Sequence, residues 1–316
     1  MRSKIFGKLG NRDAIMKERI SILLVNFNRL EYLKGTIETI YANTCNPYEL
    51  LIWDNASTEK GIKEYLQEIA RKKENYTRVF YSSQNIGVWK ASNALIARAN
   101  CPEKNGFVKL DNDVKILTKG WLDKWIKCCE DNSDIGMIGA NIEGKKERSK
   151  DTEALILNGH PLLSLTEEGT GGAVYVPGRT FLRHGYYNEE YGIYGQGDKD
   201  YARRVMTDGK KFAYHREVLF GRFAVNDDDM VGGYREHKNL YVRRNRKVYI
   251  LNRYLYQKGL KGLGIWYKKY LAPKQVQATP GFQWTDTTPK INPETGRIND
   301  LVRAEIEKHG LVGVKK

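Results

Sequence analysis

Cysteine pairs, long apolar runs and phosphate-loop signatures are all missing from this sequence. The four cysteines, Cys45, Cys101, Cys128 and Cys129, include no C-x-x-C spacing. A zinc site or disulfide framework is therefore not expected, and reduced thiols of a cytoplasmic protein fit the pattern. No stretch approaches the ~18 apolar residues of a membrane span. The opening residues, Met-Arg-Ser-Lys-Ile-Phe-Gly-Lys, carry no apolar core of a signal peptide. A cytoplasmic protein, at most peripheral to a membrane, is the expectation. No Walker lysine loop occurs, and no G-x-G-x-x-G lies between a strand and a helix. A P-loop NTPase and a Rossmann dehydrogenase are thereby disfavoured. Acidic residues are absent from Tyr241 to Lys274, where ten basic residues, six tyrosines and Trp266 fall.

What is present is enough for a packed domain. The 316 residues are 41% hydrophobic, which fits one large domain with an appendage. Apolar runs at Ile20–Val25, Glu49–Trp53, Arg78–Tyr81, Phe107–Leu110 and Ile135–Ile138 read as strands. Between them, Leu30/Leu33/Ile37/Ile40, Ile62/Tyr65/Leu66/Ile69, Val88/Ala91/Leu95/Ala99 and Leu122/Trp125/Ile126/Cys129 fall at helical spacing. Such alternation predicts an α/β fold, a mostly parallel sheet sandwiched by helices. Residues 141–170 read as a long irregular connection. Gly172–Val176 and Phe212–Tyr214 read as further strands, with a helix from Asp198 between them. Residues 244–263 read as helical, and Leu301–Lys308 as a short helix. The expected organisation is a polar lead-in at 1–17, a catalytic domain at 18–240 divided near 115, and a basic, Tyr-rich helical extension at 241–316.

Right-handed crossovers place the ends of the first four strands on one edge, where ligands of open α/β sheets bind. Those ends read Asn26-Phe27-Asn28-Arg29, Asp54-Asn55-Ala56-Ser57-Thr58, Gln84-Asn85-Ile86-Gly87 and Asp111-Asn112-Asp113. A carboxylate with uncharged polar neighbours suits a nucleobase and ribose. Two carboxylates one residue apart suit Mn2+ or Mg2+ shared with a diphosphate. Each end also has a plainer reading. Asp111-Asn112-Asp113 and Asp54-Asn55 make turns, Ser57 or Thr58 caps a helix, and Asn85 and Gly87 supply positive φ. In one ordered set the four ends favour a nucleoside-diphosphate site.

The segments I-S-I-L-L-V-N-F-N-R, L-L-I-W-D-N-A-S-T, S-Q-N-I-G-V-W-K-A-S-N, F-V-K-L-D-N-D-V, G-T-G-G-A-V-Y-V, Y-G-Q-G-D-K-D-Y-A-R-R-V and Y-V-R-R-N-R occur in that order between about Arg19 and Arg246. The ordered set resembles a family 2 glycosyltransferase of the GT-A fold. The resemblance implies a nucleoside-diphosphate sugar as donor, a UDP-sugar first. It implies that Asp54, with Asn26, Asn28, Asn85 and Gly87 around it, receives the nucleotide. Asp111, Asn112 and Asp113 would form the D-x-D motif, with Asp111 and Asp113 on the metal. It further implies that Asp198 is the catalytic base of a generally inverting transfer, with Gln196, Gly197 and Asp200 toward the acceptor. Two departures stand out. Gly197 replaces the family's Glu, and the late metal-binding His is absent from Leu219-Phe-Gly-Arg222-Phe, which leaves His215 and His237 as candidates and Arg222 as a phosphate partner.

Net charge is +15, and from Tyr241 onward it is concentrated: 16 Lys+Arg against 5 Asp+Glu. An anionic partner at 241–274 is expected, a membrane face or a nucleic acid. A lipid-linked or cell-surface glycan is the favoured acceptor, with hydroxylated bases of DNA second. Two further readings remain: a nucleotidyltransferase, disfavoured by the lack of glycines after the first strand, and a nucleic-acid-binding protein on an inactive transferase scaffold.

Overall fold

The computed structural model of the chain describes residues 19–72, 76–143, 152–165, 172–223 and most of 241–256. The elements run, in order: β1 (Ile20–Asn26), α1 (Leu30–Asn43), β2 (Tyr48–Asp54), α2 (Ile62–Lys72), β3 (Arg78–Tyr81), α3 (Val88–Ile96) and α4 (Pro102–Asn105). Then come β4 (Phe107–Asp111), β5 (Val114–Ile116), α5 (Trp121–Asp131), β6 (Ile135–Ile142), β7 (Thr152–Leu157), β8 (His160–Leu165) and β9 (Ala173–Val176). After these follow α6 (Gly178–His184), a short 3-10 turn (Glu189–Tyr191), α7 (Gly197–Thr207) and β10 (Lys211–Arg222). The described residues between 241 and 256 are helical.

One sheet orders the strands β3-β2-β1-β4-β9-β6-β10-β8-β7, with β5 against β10. β1 pairs parallel with β2 and β4, and β2 with β3. β9 is antiparallel to β4 and β6. The predicted α/β architecture holds, with antiparallel strands on one flank.

The central strands β1, β2 and β4 are buried on both faces, so alternate residues serve two cores. Ile22, Leu24, Leu50, Ile52, Val108 and Leu110 meet Leu33 and Ile37 of α1, Leu66 of α2 and Trp121 and Trp125 of α5. Leu23, Leu51, Trp53 and Phe107 meet Trp89 and Leu95 of α3 and Tyr201 and Val205 of α7. β4 therefore sends Phe107, Lys109 and Asp111 to the α3/α7 face. Lys109 is a cation only 5% exposed inside a strand.

Two expectations need correction. The stretch 141–170 is not an irregular connection: it holds the β7–β8 hairpin, turned at Asn158 (φ 47) and Gly159 (φ 83). β7 lies on the sheet's outer edge with Ile156 exposed, and a charged stretch, 143–151, precedes it. The strand foreseen at Phe212–Tyr214 continues through a register shift to Arg222. Beyond the division expected at 240, Val248, Tyr249 and Tyr256 join the core cluster that holds Trp89 of α3 and Tyr201 of α7. The lead-in at 1–17, His237, and everything after 256, including the helix foreseen at Leu301–Lys308, lie outside the described residues.

Candidate active site

Parallel pairing puts Asn26 beside Asp54, Val25 beside Asp111, and Asp54 beside Tyr81. The four polar strand ends therefore meet within one residue of register. The first two are laced together. Asn26 Nδ2 donates to Asp54 Oδ1 at 3.0 Å and to Ser57 Oγ at 3.2 Å. Ser57 Oγ donates to Asp54 Oδ1 at 2.6 Å and accepts the Asn28 N–H at 2.8 Å. Asn28 Oδ1 accepts the N–H groups of Thr58 (2.8 Å) and Glu59 (3.1 Å). This lattice holds Asn28 and Arg29 in consecutive left-handed conformations (φ 56 and 64), which ordinary side chains rarely adopt.

The third end is tied in the same way. Asn55 Nδ2 donates to Asn85 Oδ1 at 2.8 Å, and Asn55 Oδ1 accepts Ile86 N–H at 2.9 Å. Gly87 (φ 86) is a packing glycine: a Cβ there would lie 2.6 Å from Gly192 O and 2.7 Å from Ile193 Cα. Asn26, expected on the nucleotide, is instead fully buried and also accepts Asn112 Nδ2 at 2.8 Å. Both ends of its amide are engaged by protein groups, so it ties the first, second and fourth strand ends together. Gly87 likewise lies under the Gly192–Ile193 backbone. Asn28, Asn85, Asn112, Asp111 and Asp113 remain partly exposed around the cleft.

The acidic triplet is surrounded by cations. Lys109 Nζ pairs with Asp111. Arg29 Nη1 lies 3.3 Å from Asp113 Oδ2. The Asp113 carboxyl is pushed above its ordinary value, chiefly by desolvation and then by the Asp111 charge, against Arg222, Arg29 and Lys109. Its Oδ1 is buried and accepts no hydrogen bond among the described residues. An orphaned, hard carboxylate oxygen beside a second carboxylate fits a divalent cation. Among the described residues no group of three His, Cys, Asp or Glu completes a ligand set. His215, a candidate for the missing His, is buried beside His160 (ring centroids 5.8 Å), and desolvation lowers it to about 4.

The start of α7 closes the site. Gln196 takes a left-handed φ of 60 just before it, and a Cβ on Gly197 would fall 2.4 Å from the Trp89 ring. That contact explains why no Glu stands at 197. Trp89 Nε1 donates to Gly195 O at 3.1 Å, and Lys109 Nζ lies 5.5 Å from the Trp89 ring. Asp198 is partly exposed. Its carboxyl is raised chiefly by desolvation and, less, by Asp111, while Lys109, Lys199 and the Lys199 N–H oppose. Asp198, Asp111 and Lys109 thus share one electrostatic neighbourhood. Asp200, expected toward the acceptor, turns into the core. It is 0% exposed, accepts Tyr191 Oη (2.8 Å), Tyr256 Oη (3.0 Å) and Asn252 Nδ2 (3.2 Å), and pairs with Arg204. Sequence reading missed Lys109 and Ser57 as site residues. For Lys109 the signal was a charge two residues before Asp111, hence on its face of a buried strand.

The family model for glycosyl transferase family 2 matches residues 21–192, more than half of the chain. The chain belongs to glycosyltransferase family 2. The match covers all four strand ends and stops short of Asp198. No curated protein matches the sequence significantly. Among solved structures, GalNAc-T7 with UDP, GalNAc and Mn2+ superposes at TM-score 0.55 and 14% identity over 92% of this chain. The chain spans 54% of that protein's length. Mannosyltransferase PcManGT from Pyrobaculum calidifontis, in complex with GDP-Man and Mn2+, superposes at 0.54 and 13% identity, covering 94% of this chain and 76% of that one. At such identity the likeness shows the fold, and that fold is GT-A. This family 2 glycosyltransferase holds, among its described residues, no helix long and apolar enough to cross a membrane.

Proposed function

We propose that the chain moves a sugar from a nucleoside-diphosphate sugar to an acceptor hydroxyl with inversion at the anomeric carbon. The observation that supports this is the pair Asp111/Asp113, with the orphaned Asp113 Oδ1, at the strand edge beside Asp198. The partly exposed Asn28, Asn85 and Asn112 would receive the nucleoside, with Asp54, buried beneath them on Asn26 and Ser57, holding the loops in place. Asp111 and Asp113 would hold Mn2+ or Mg2+, which supplies positive charge at the departing diphosphate. Asp198 accepts the proton of the acceptor hydroxyl. The freed oxygen bonds to the anomeric carbon while the bond from that carbon to the diphosphate oxygen breaks, its electron pair leaving with the diphosphate. The half-buried setting of Asp198 keeps its carboxylate poorly hydrated and basic.

As acceptor we favour a lipid-linked or cell-surface glycan. The support is the run of ten cations and no acid at 241–274, which suits an anionic membrane face. A panel of UDP- and GDP-sugars with Mn2+, read by thermal shift and donor hydrolysis, tests the donor assignment. At least one donor should raise the melting temperature and be hydrolysed, and Asp113→Ala should lose the Mn2+-dependent part of both. If every donor is inert, the reading is wrong.

A further inference from the structure

Asp113 faces two guanidinium groups as well as its carboxylate neighbour. Arg29 enters from the end of β1 and Arg222 from the end of β10. Arg222 stands opposite Val114 in the β5–β10 ladder. A Cβ built on Gly172 would lie 3.8 Å from Arg222 Nη2 and 3.8 Å from Asp111 Oδ2, so that guanidinium borders the acidic pair. With Lys109, three cations serve two carboxylates.

The placement is built, not incidental. Arg29 is fixed by the left-handed Asn28–Arg29 turn, and its guanidinium lies 5.6 Å from the Tyr32 ring. Tyr32 stacks on Phe223 at 6.4 Å. Phe223 directly follows Arg222, donates its N–H to Asp113 O at 2.9 Å, and fills the space where a Cβ on Gly35 would lie 2.5 Å from its ring. One aromatic clasp thus holds both arginines around Asp113. Arg222 is exposed to the cleft, and Arg29 contributes one of its five N–H donors to Asp113. Planar guanidinium forks match phosphate oxygens in pairs.

We infer that Arg29 and Arg222 form a diphosphate clamp that binds the donor's two phosphates directly, so that nucleoside-diphosphate affinity persists without a divalent cation. This rests on the donor-site reading above. Asp113 positions Arg29 through the Nη1 contact, and that Arg29 N–H turns to phosphate when the diphosphate arrives.

Calorimetric titration with UDP, GDP, uridine and guanosine, in EDTA and in Mn2+, tests it. In EDTA the wild type should prefer one nucleoside diphosphate over its nucleoside by about ten- to a hundredfold. Arg29→Met/Arg222→Met should abolish that preference in EDTA, while Mn2+ restores part of it. Arg29→Lys/Arg222→Lys, which keeps charge and packing, should retain an intermediate preference, and circular dichroism confirms that each variant is folded. Binding of UDP or GDP in Mn2+ with no preference over nucleoside in EDTA overturns the clamp and leaves the donor site standing. An unchanged preference in the double Met variant also overturns it. No binding of any nucleotide under either condition overturns the donor site and the clamp together.

Discussion

Asp198 sits where its own charge is disfavoured. Desolvation raises its carboxyl above the ordinary ~4 of an aspartate. A folded-state value above the unfolded one gives stability that is present in acid and lost as pH rises through the folded value. Asp198→Asn, a neutral isostere, should therefore raise the melting temperature at pH 7 in metal-free buffer, and that gain should vanish by about pH 4. The same substitution should lower kcat by about 10²–10⁴ with donor binding kept. In the wild type the acid limb of kcat/KM should lie above the ordinary aspartate range. Unchanged transfer by Asp198→Asn would remove it as the base. At this scale the sequence was a partial guide. The spacing of Asp111 and Asp113 singled out a pair that lies partly exposed at the strand edge, yet Asn26 and Asp200 carry the same polar lettering and are wholly buried. Nothing in a linear pattern says that an Asn amide at a strand end has both its faces taken by Ser57, Asp54 and Asn112.

Among the elements, the loop from β3 to α3 and the loop before α7 depend on each other. Val88 N–H bonds Ile193 O at 3.0 Å, and the Gly192–Ile193 backbone lies against Gly87. Gly87→Ala meets both that backbone and a positive φ, so it should cost about 1–3 kcal/mol. Urea unfolding measures it; a change under about 0.5 kcal/mol would mean that the loop moves aside freely. The parallel elements were legible because strands buried on both faces leave nearly continuous apolar runs, as in Ile20–Val25, broken only by Ser21. The β7–β8 hairpin was not, because its short runs Thr152–Leu157 and His160–Leu165 follow the highly charged stretch 143–151 and the outer strand buries little. The antiparallel flank also escaped, since nothing in Gly172–Val176 states the direction of its neighbours.

For the whole molecule, the decisive contact spans 56 residues: Tyr256 Oη to Asp200 Oδ1 at 3.0 Å, beside Asn252 and Tyr191. Desolvation pushes the Tyr256 and Tyr191 hydroxyls well above the ordinary tyrosine value, so both remain donors at any physiological pH. Tyr256→Phe takes one donor from a buried carboxylate and should cost about 1–3 kcal/mol, read by chemical denaturation. A neutral outcome would mean that Asn252, Tyr191 and Arg204 suffice for Asp200. The basic composition after Tyr241 pointed to an appendage, whereas these side chains make the segment's first turns part of the core. That has a practical consequence for protein engineering. A chimera that exchanges tails between related transferases must cut after Tyr256, because a graft made at 240 would take two donors, Asn252 and Tyr256, from the buried Asp200 two residues from Asp198 and damage the host enzyme whatever the incoming tail recognises.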